Sequence, residues 1–145
     1  EKEIDDNIEI FRKAFEAGVP FICGSESGFS VTPYGDWHYK ELEVFVDKLK
    51  MTPLEAITCA TKNAAKAMRK EGILGLIAPG YKADLLVIDG DPSKDVSILG
   101  KKELIKYVIL DGKEVDLTPA PERIKDPDGW RISSYSGKIL KKNNS

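Results

Sequence analysis

Apolar positions in the first part of the chain fall at helical spacing. Ile4, Ile8, Phe11 and Phe15 recur every three to four residues, with Asp5 and Asp6 in the first turn, where the helix dipole favours acid. Gly18 stands where a helix stop is expected. Residues 19–23, Val-Pro-Phe-Ile-Cys, then read as a short buried strand with its proline near the start, where proline is tolerated. Helix, tight turn and strand make one αβ unit of a layered α/β fold. Glycine and serine follow at 24–28 and a loop at 29–36. A second helical pattern over about 37–49 is expected to bury Leu42, Phe45, Val46 and Leu49, with Lys40, Glu41, Glu43 and Lys48 as a solvated face. Thr52-Pro53-Leu54-Glu55 is a helix start: threonine at the N-cap, proline at the first helical position and glutamate completing a capping box. That helix is expected to bury Leu54, Ile57 and Ala60, and to cap or kink at 61–64 into a short helix ending near Arg69.

The pattern changes at 72–92. Proline fixes φ at the first central position of a turn and glycine permits φ > 0 at the second, so Pro79-Gly80 reads as a type II turn. Leu85-Leu86-Val87-Ile88 is an unalternating apolar run, which predicts a strand covered on both faces. Asp84 and Asp89 bracket it, and Gly90-Asp91-Pro92 ends it. A helical or irregular stretch over 93–100 leads to a strand at 104–110. Asp111-Gly112 is a two-residue hairpin turn into Lys113-Glu114-Val115. Beyond about 117 the composition shifts to a partly ordered extension with a basic tip, in which Trp130, Ile132, Tyr135 and Ile139 leave a docking strand open.

Composition narrows the function classes. The 145 residues are 41% hydrophobic and 32% charged, which is globular, and the length is that of one domain. A net charge of −2 gives no electrostatic footprint for nucleic acid or acidic membranes. No apolar run approaches the ~20 residues of a spanning helix. The first ten residues lack the apolar core of a signal peptide and an initiator Met, and so read as a processing or truncation edge. Cys23 and Cys59 form no C-x-x-C pair and read as free thiols of a reducing compartment, with the cytoplasm favoured. His38 is the one histidine, so a histidine-rich metal site cannot be assembled from this chain alone.

Two motifs carry a resemblance. Gly75, Ile77, Pro79, Gly80, Ala83, Asp84, Leu85, Val87 and Asp89 form G-x-I-x-P-G-x-x-A-D-L-x-V-x-D. Thr52, Pro53, Glu55, Ala56, Ile57, Ala60, Thr61, Asn63, Ala64 and Ala65 form T-P-x-E-A-I-x-x-A-T-x-N-A-A. Together they resemble the C-terminal portion of the metal-dependent amidohydrolase superfamily, imidazolonepropionase-like and prolidase-like enzymes among them, over about residues 4–115. The resemblance implies an α/β fold: the last helix–strand–helix units of a (β/α)8 TIM-like barrel in residues 1–70, and returning strands of a small β-sandwich in 71–116. Residues 117–145 would be an extension. A whole barrel needs ~200 residues or more, so the barrel would be incomplete. In that family the first motif is structural, and turns and strands account for its residues.

The resemblance also singles out Glu26. The family places G-T-D-S-G after the eighth barrel strand, and its Asp binds the metal and takes a proton from the attacking water. Here the five residues 24–28 are G-S-E-S-G. Glutamate keeps the carboxylate but extends it by roughly 1.5 Å, a large shift where metal–oxygen distances lie near ~2.0–2.2 Å. Either the backbone retreats or the metal role is altered. The nucleophile elbow needs serine where Glu26 stands, so that pattern fails here, and Ser25 and Ser27 read more simply as loop hydrogen-bonders. Tyr34, Trp37 and His38 are substrate-binding candidates, the first two as apolar walls of a pocket mouth, although a surface or packing role is the simpler reading of His38.

These readings imply the C-terminal part of a metal-dependent hydrolase of amide-like C–N bonds, peptide or non-peptide. The alternative is a non-catalytic homologue or interaction module with a decayed metal site. The implied cofactor is a divalent metal, zinc, in the complete protein, while this chain alone is expected to be inactive and to bind zinc weakly. Expected partners are the missing N-terminal portion of the same protein and a small amide-like substrate. No nucleic acid or membrane is expected, and homo-oligomerisation is left open.

Overall fold

The computed structural model describes residues 2–28 and 37–118. Helix α1 (Lys2–Glu16) ends as the glycine predicts. Gly18 sits at φ +82, its N–H donates to Phe15 O at 2.9 Å, and the Val19 N–H donates to Ala14 O at 3.0 Å. This pair of bonds is a Schellman stop, which satisfies two carbonyls that the helix leaves open. The chain then runs out through residues 19–28, which join no sheet among the described residues.

Helix α2 (His38–Asp47) is followed by α3 (Pro53–Thr58), a π-helical turn (Cys59–Asn63) and α4 (Ala64–Ala67). The capping box at α3 is complete. The Thr52 hydroxyl accepts from the Glu55 N–H at 3.3 Å, and the Glu55 carboxylate accepts from the Thr52 N–H at 2.7 Å. Strands β1 (Leu85–Ile88), β2 (Ile105–Leu110) and β3 (Lys113–Glu114) form an antiparallel sheet in that order. In its register Leu85 faces Ile109 and Leu110 faces Lys113. Two 3₁₀ turns, Val96–Gly100 and Lys102–Leu104, join β1 to β2.

The core lies between α2, α3 and the first 3₁₀ turn. Leu42, Phe45, Leu49, Met51, Ala56, Cys59 and Val96 are buried there, with Ile8, Phe15, Phe21 and Cys23 packed against them. Phe21 is the hinge of an aromatic cluster. It meets Phe11, Phe15 and Phe45 edge to face, with ring centroids 6.4, 6.2 and 6.1 Å away, the geometry that ring quadrupoles favour.

Several expectations need correction. Residues 19–23 are not a strand: no ladder partner lies beside them among the described residues, and Val19 and Ile22 are exposed. Strand β1 forms where expected but is not covered on both faces, since Leu86 is 48% exposed. An antiparallel sheet can leave one face open to solvent, and such positions are then exposed. Helix α2 stops at Asp47, short of the buried Leu49. Leu54 and Ala60 face outward, because the buried stripe runs through Ala56 and Cys59. Tyr34, the 29–36 loop and the extension carrying Trp130, Ile132, Tyr135 and Ile139 lie outside the described residues.

Candidate functional site

Among the described residues, the segment that follows α1 is held by side chains. Asn63, in the π-helical turn, donates from Nδ2 to Phe21 O at 3.0 Å. Glu41, in the first turn of α2, accepts the Gly24 N–H on both carboxylate oxygens, 2.9 Å each. Ser25 Oγ lies 2.8 Å from Ser27 Oγ and 3.2 Å from His38 Nδ1. Two helices therefore grip the chain at 21, 24 and 25.

Glu26 stands at the crest of the gripped loop. It is exposed, and its backbone is left-handed at φ +48. A non-glycine residue in that region is strained and persists only where its surroundings fix it, a condition that recurs at functional sites. Gly28, two residues on, takes φ +103 without that cost.

An apolar groove of about 600 Å³ opens between α1, the 19–25 segment and α2. Trp37 lines it beside Ile22, Ser25, Glu41 and Val44. Trp37 is one of the groove's lining residues, while Glu26 and His38 lie outside the lining. His38 joins the site through Ser25.

Burial favours the thiol form of both cysteines. Burial pushes Cys23 up to about 12, with the Glu41 charge adding to it. Burial also raises Cys59, against the hydrogen bond from Asn63. Neither offers thiolate near neutral pH. Among the described residues no three His, Cys, Asp or Glu side chains converge on one point. Glu26 has the donor type and exposure of a metal ligand, but zinc takes four ligands as a rule, so the described residues do not complete a site.

Two residues of this site were missed from sequence. Glu41 reads as one charge of a solvated helix face, and only its place one turn into the helix after the loop hints otherwise. Asn63 reads as a cap, although it is the one amide in a run of small residues and threonines.

Among the described residues no helix is long and apolar enough to cross a membrane. The model of the amidohydrolase family matches residues 1–115. Ochratoxinase from Aspergillus niger is 30% identical over 110 residues, which cover 75% of this chain and 22% of that protein. Imidazolonepropionase from Flavobacterium johnsoniae is 32% identical over 103 residues, 70% of this chain and 25% of that protein. Among solved structures, a Xaa-Pro dipeptidase with bound methionine in its active site aligns at a TM-score of 0.66 and 36% identity, over 75% of this chain and 25% of that one. The chain thus spans about a quarter of the length of the relatives it matches, and its fold is of their α/β type. It belongs to the amidohydrolase family.

Proposed function

We propose that this chain is the C-terminal portion of a hydrolase that cleaves amide-like C–N bonds, and that Glu26 is the carboxylate it contributes to the reaction centre. On this reading residues 1–70 complete a barrel, and 71–116 return to a small β-sandwich. A divalent metal, zinc by the family resemblance, would supply Lewis acidity and a lowered water pKa, with its remaining donors outside this chain. Glu26 then accepts a proton from the attacking water. The water oxygen bonds to the carbonyl carbon, the C–N bond breaks, and the amine departs with a proton. Trp37 bounds the substrate on its apolar side.

One observation carries this reading. The family's catalytic loop position holds a carboxylate, and that carboxylate sits on a strained, left-handed residue which three side chains from α2 and the π turn brace nearby. A loop that only connects two elements has no need of such bracing.

The test uses the full-length protein at matched metal loading, assayed against a panel of amides and cyclic amides. Glu26→Gln keeps the shape and removes the base, and loss of a general base lowers kcat by about 10²–10⁴-fold. Helix content should stay as in the parent. Glu26→Asp withdraws the carboxylate and should also lose activity, if the backbone is set for the longer side chain. Parental activity in Glu26→Gln would remove this residue from the mechanism.

A further inference from the structure

We propose that Glu41 is the positioning residue for Glu26: its carboxylate holds the Gly24 N–H and so fixes where the loop crest presents Glu26. The inference rests on the reading of Glu26 given above and adds a residue which that reading does not need.

The geometry is specific. Among the described residues no strand pairs with 21–28, and the fixed points seen there come from side chains. Asn63 fixes Phe21 O at the start. Glu41 fixes the Gly24 N–H, two residues before Glu26, and does so with both oxygens at 2.9 Å. An N–H bonded to an ionised carboxylate is among the stronger hydrogen bonds a backbone makes. Glu41 is itself anchored, for it follows Tyr39, whose ring packs so tightly under Gly100 that a Cβ there would lie 2.4 Å from it. The neighbouring Leu42 is in the buried core. The carboxylate therefore acts from a rigid base onto a loop that is otherwise irregular. His38 adds a second, weaker hold through Ser25 at 3.2 Å, from the same helical turn. Without Glu41 the loop keeps its holds at Phe21 and Ser25 but loses the charged one at Gly24, two residues before Glu26. A displacement of about 1 Å at a reacting group can cost about 10²-fold in rate.

Three variants of the full-length protein separate this role from simple packing. Glu41→Met keeps the length of the side chain and removes the acceptor. Glu41→Gln keeps one acceptor oxygen for the Gly24 N–H. Glu41→Ala removes the side chain. Hydrogen exchange of the peptide spanning 21–28 reads the hold directly, without any turnover. Gly24 should lose protection in Glu41→Met and largely keep it in Glu41→Gln. With substrate, Glu41→Met should lower kcat by about 10²-fold with KM changed only a few-fold, while Glu41→Gln stays within several-fold of the parent. Combined with Glu26→Gln, the Glu41→Met loss should largely vanish, because a residue that acts through Glu26 has nothing left to position. Unchanged exchange at Gly24, parental kcat in Glu41→Met, or an equal loss in both backgrounds would each overturn the proposal. Parental activity in Glu26→Gln would overturn both readings together. A crippled Glu26→Gln beside a fully active Glu41→Met would overturn the positioning role alone.

Discussion

Gly75 shows how a single residue ties the two halves of the chain together. Its backbone is at φ +88, and a Cβ built there would lie 2.7 Å from Thr61 O and 2.8 Å from the Ala65 Cβ. Both contacts are firm, one backbone and one on a buried helix residue, so neither yields as the end of a flexible side chain would. The chain after α4 therefore passes close over the π turn, and glycine is what permits it. Gly75→Ala should destabilise by about 2–4 kcal/mol, the sum of a left-handed backbone and an overpacked contact. Gly72 is the control: it has φ +80 and nothing within 4 Å, so Gly72→Ala meets the backbone cost alone. Urea midpoints at one protein concentration would show the difference. Equal losses at the two positions would mean that the close approach is not real. The first glycine of the family motif is thus accounted for by contact, and Gly80 by its turn, closed by the Tyr81 N–H donating to Ala78 O at 3.1 Å.

At the scale of elements, the acidic residue of the same motif has a structural task. Asp84 accepts the Asp111 N–H on Oδ1 at 2.7 Å, and the Gly112 N–H donates to Ala83 O at 3.0 Å. Asp111 and Gly112 have φ +52 and +77, the two positive values that a type I′ hairpin turn requires. Asp84 thus pins the β2–β3 hairpin to the start of β1, 27 residues away in sequence. Asp84→Ala should free that turn and cost about 1 kcal/mol, small because the bond is exposed to water. Faster amide exchange at Asp111 and Gly112 would register it, and an unchanged rate would refute the pinning role.

Local chemistry made these elements readable in the sequence: the capping box at Thr52, the glycine stop at Gly18, the Pro79-Gly80 turn and the Asp111-Gly112 hairpin are each set by neighbours. What was not legible depends on distant partners. The run Val-Pro-Phe-Ile-Cys has strand composition, but a strand needs a ladder, and no local pattern says whether one is there. The same holds at the site. Glu26 could be singled out because its motif position is local, whereas Glu41 acts across 17 residues and looks from sequence like any helix surface acid.

At the scale of the molecule, part of the exposed apolar surface among the described residues borders the groove between α1 and α2 and part lies on the sheet. Phe11, Ile22, Trp37 and Val44 are all exposed around the groove between α1 and α2, and Leu86, Val87 and Tyr107 are exposed on the sheet. Scattered apolar residues are ordinary on a protein surface, but apolar side chains gathered along one groove mark a surface suited to contact. The partner proposed for it is the remainder of the same protein. The 145-residue polypeptide by itself should therefore associate with copies of itself and bind a hydrophobic dye, to a degree that rises with concentration. Val44→Lys tests the location. Val44 is 47% exposed on the rim and helical, so lysine there leaves the core intact and puts a charge across the apolar face. The variant should keep its helical circular dichroism, elute later on size exclusion and bind less dye. Association as strong in Val44→Lys as in the parent would move the contact surface to the sheet. A parent chain that elutes as a compact monomer and binds no dye would show instead that these exposed side chains are covered by the chain's own residues.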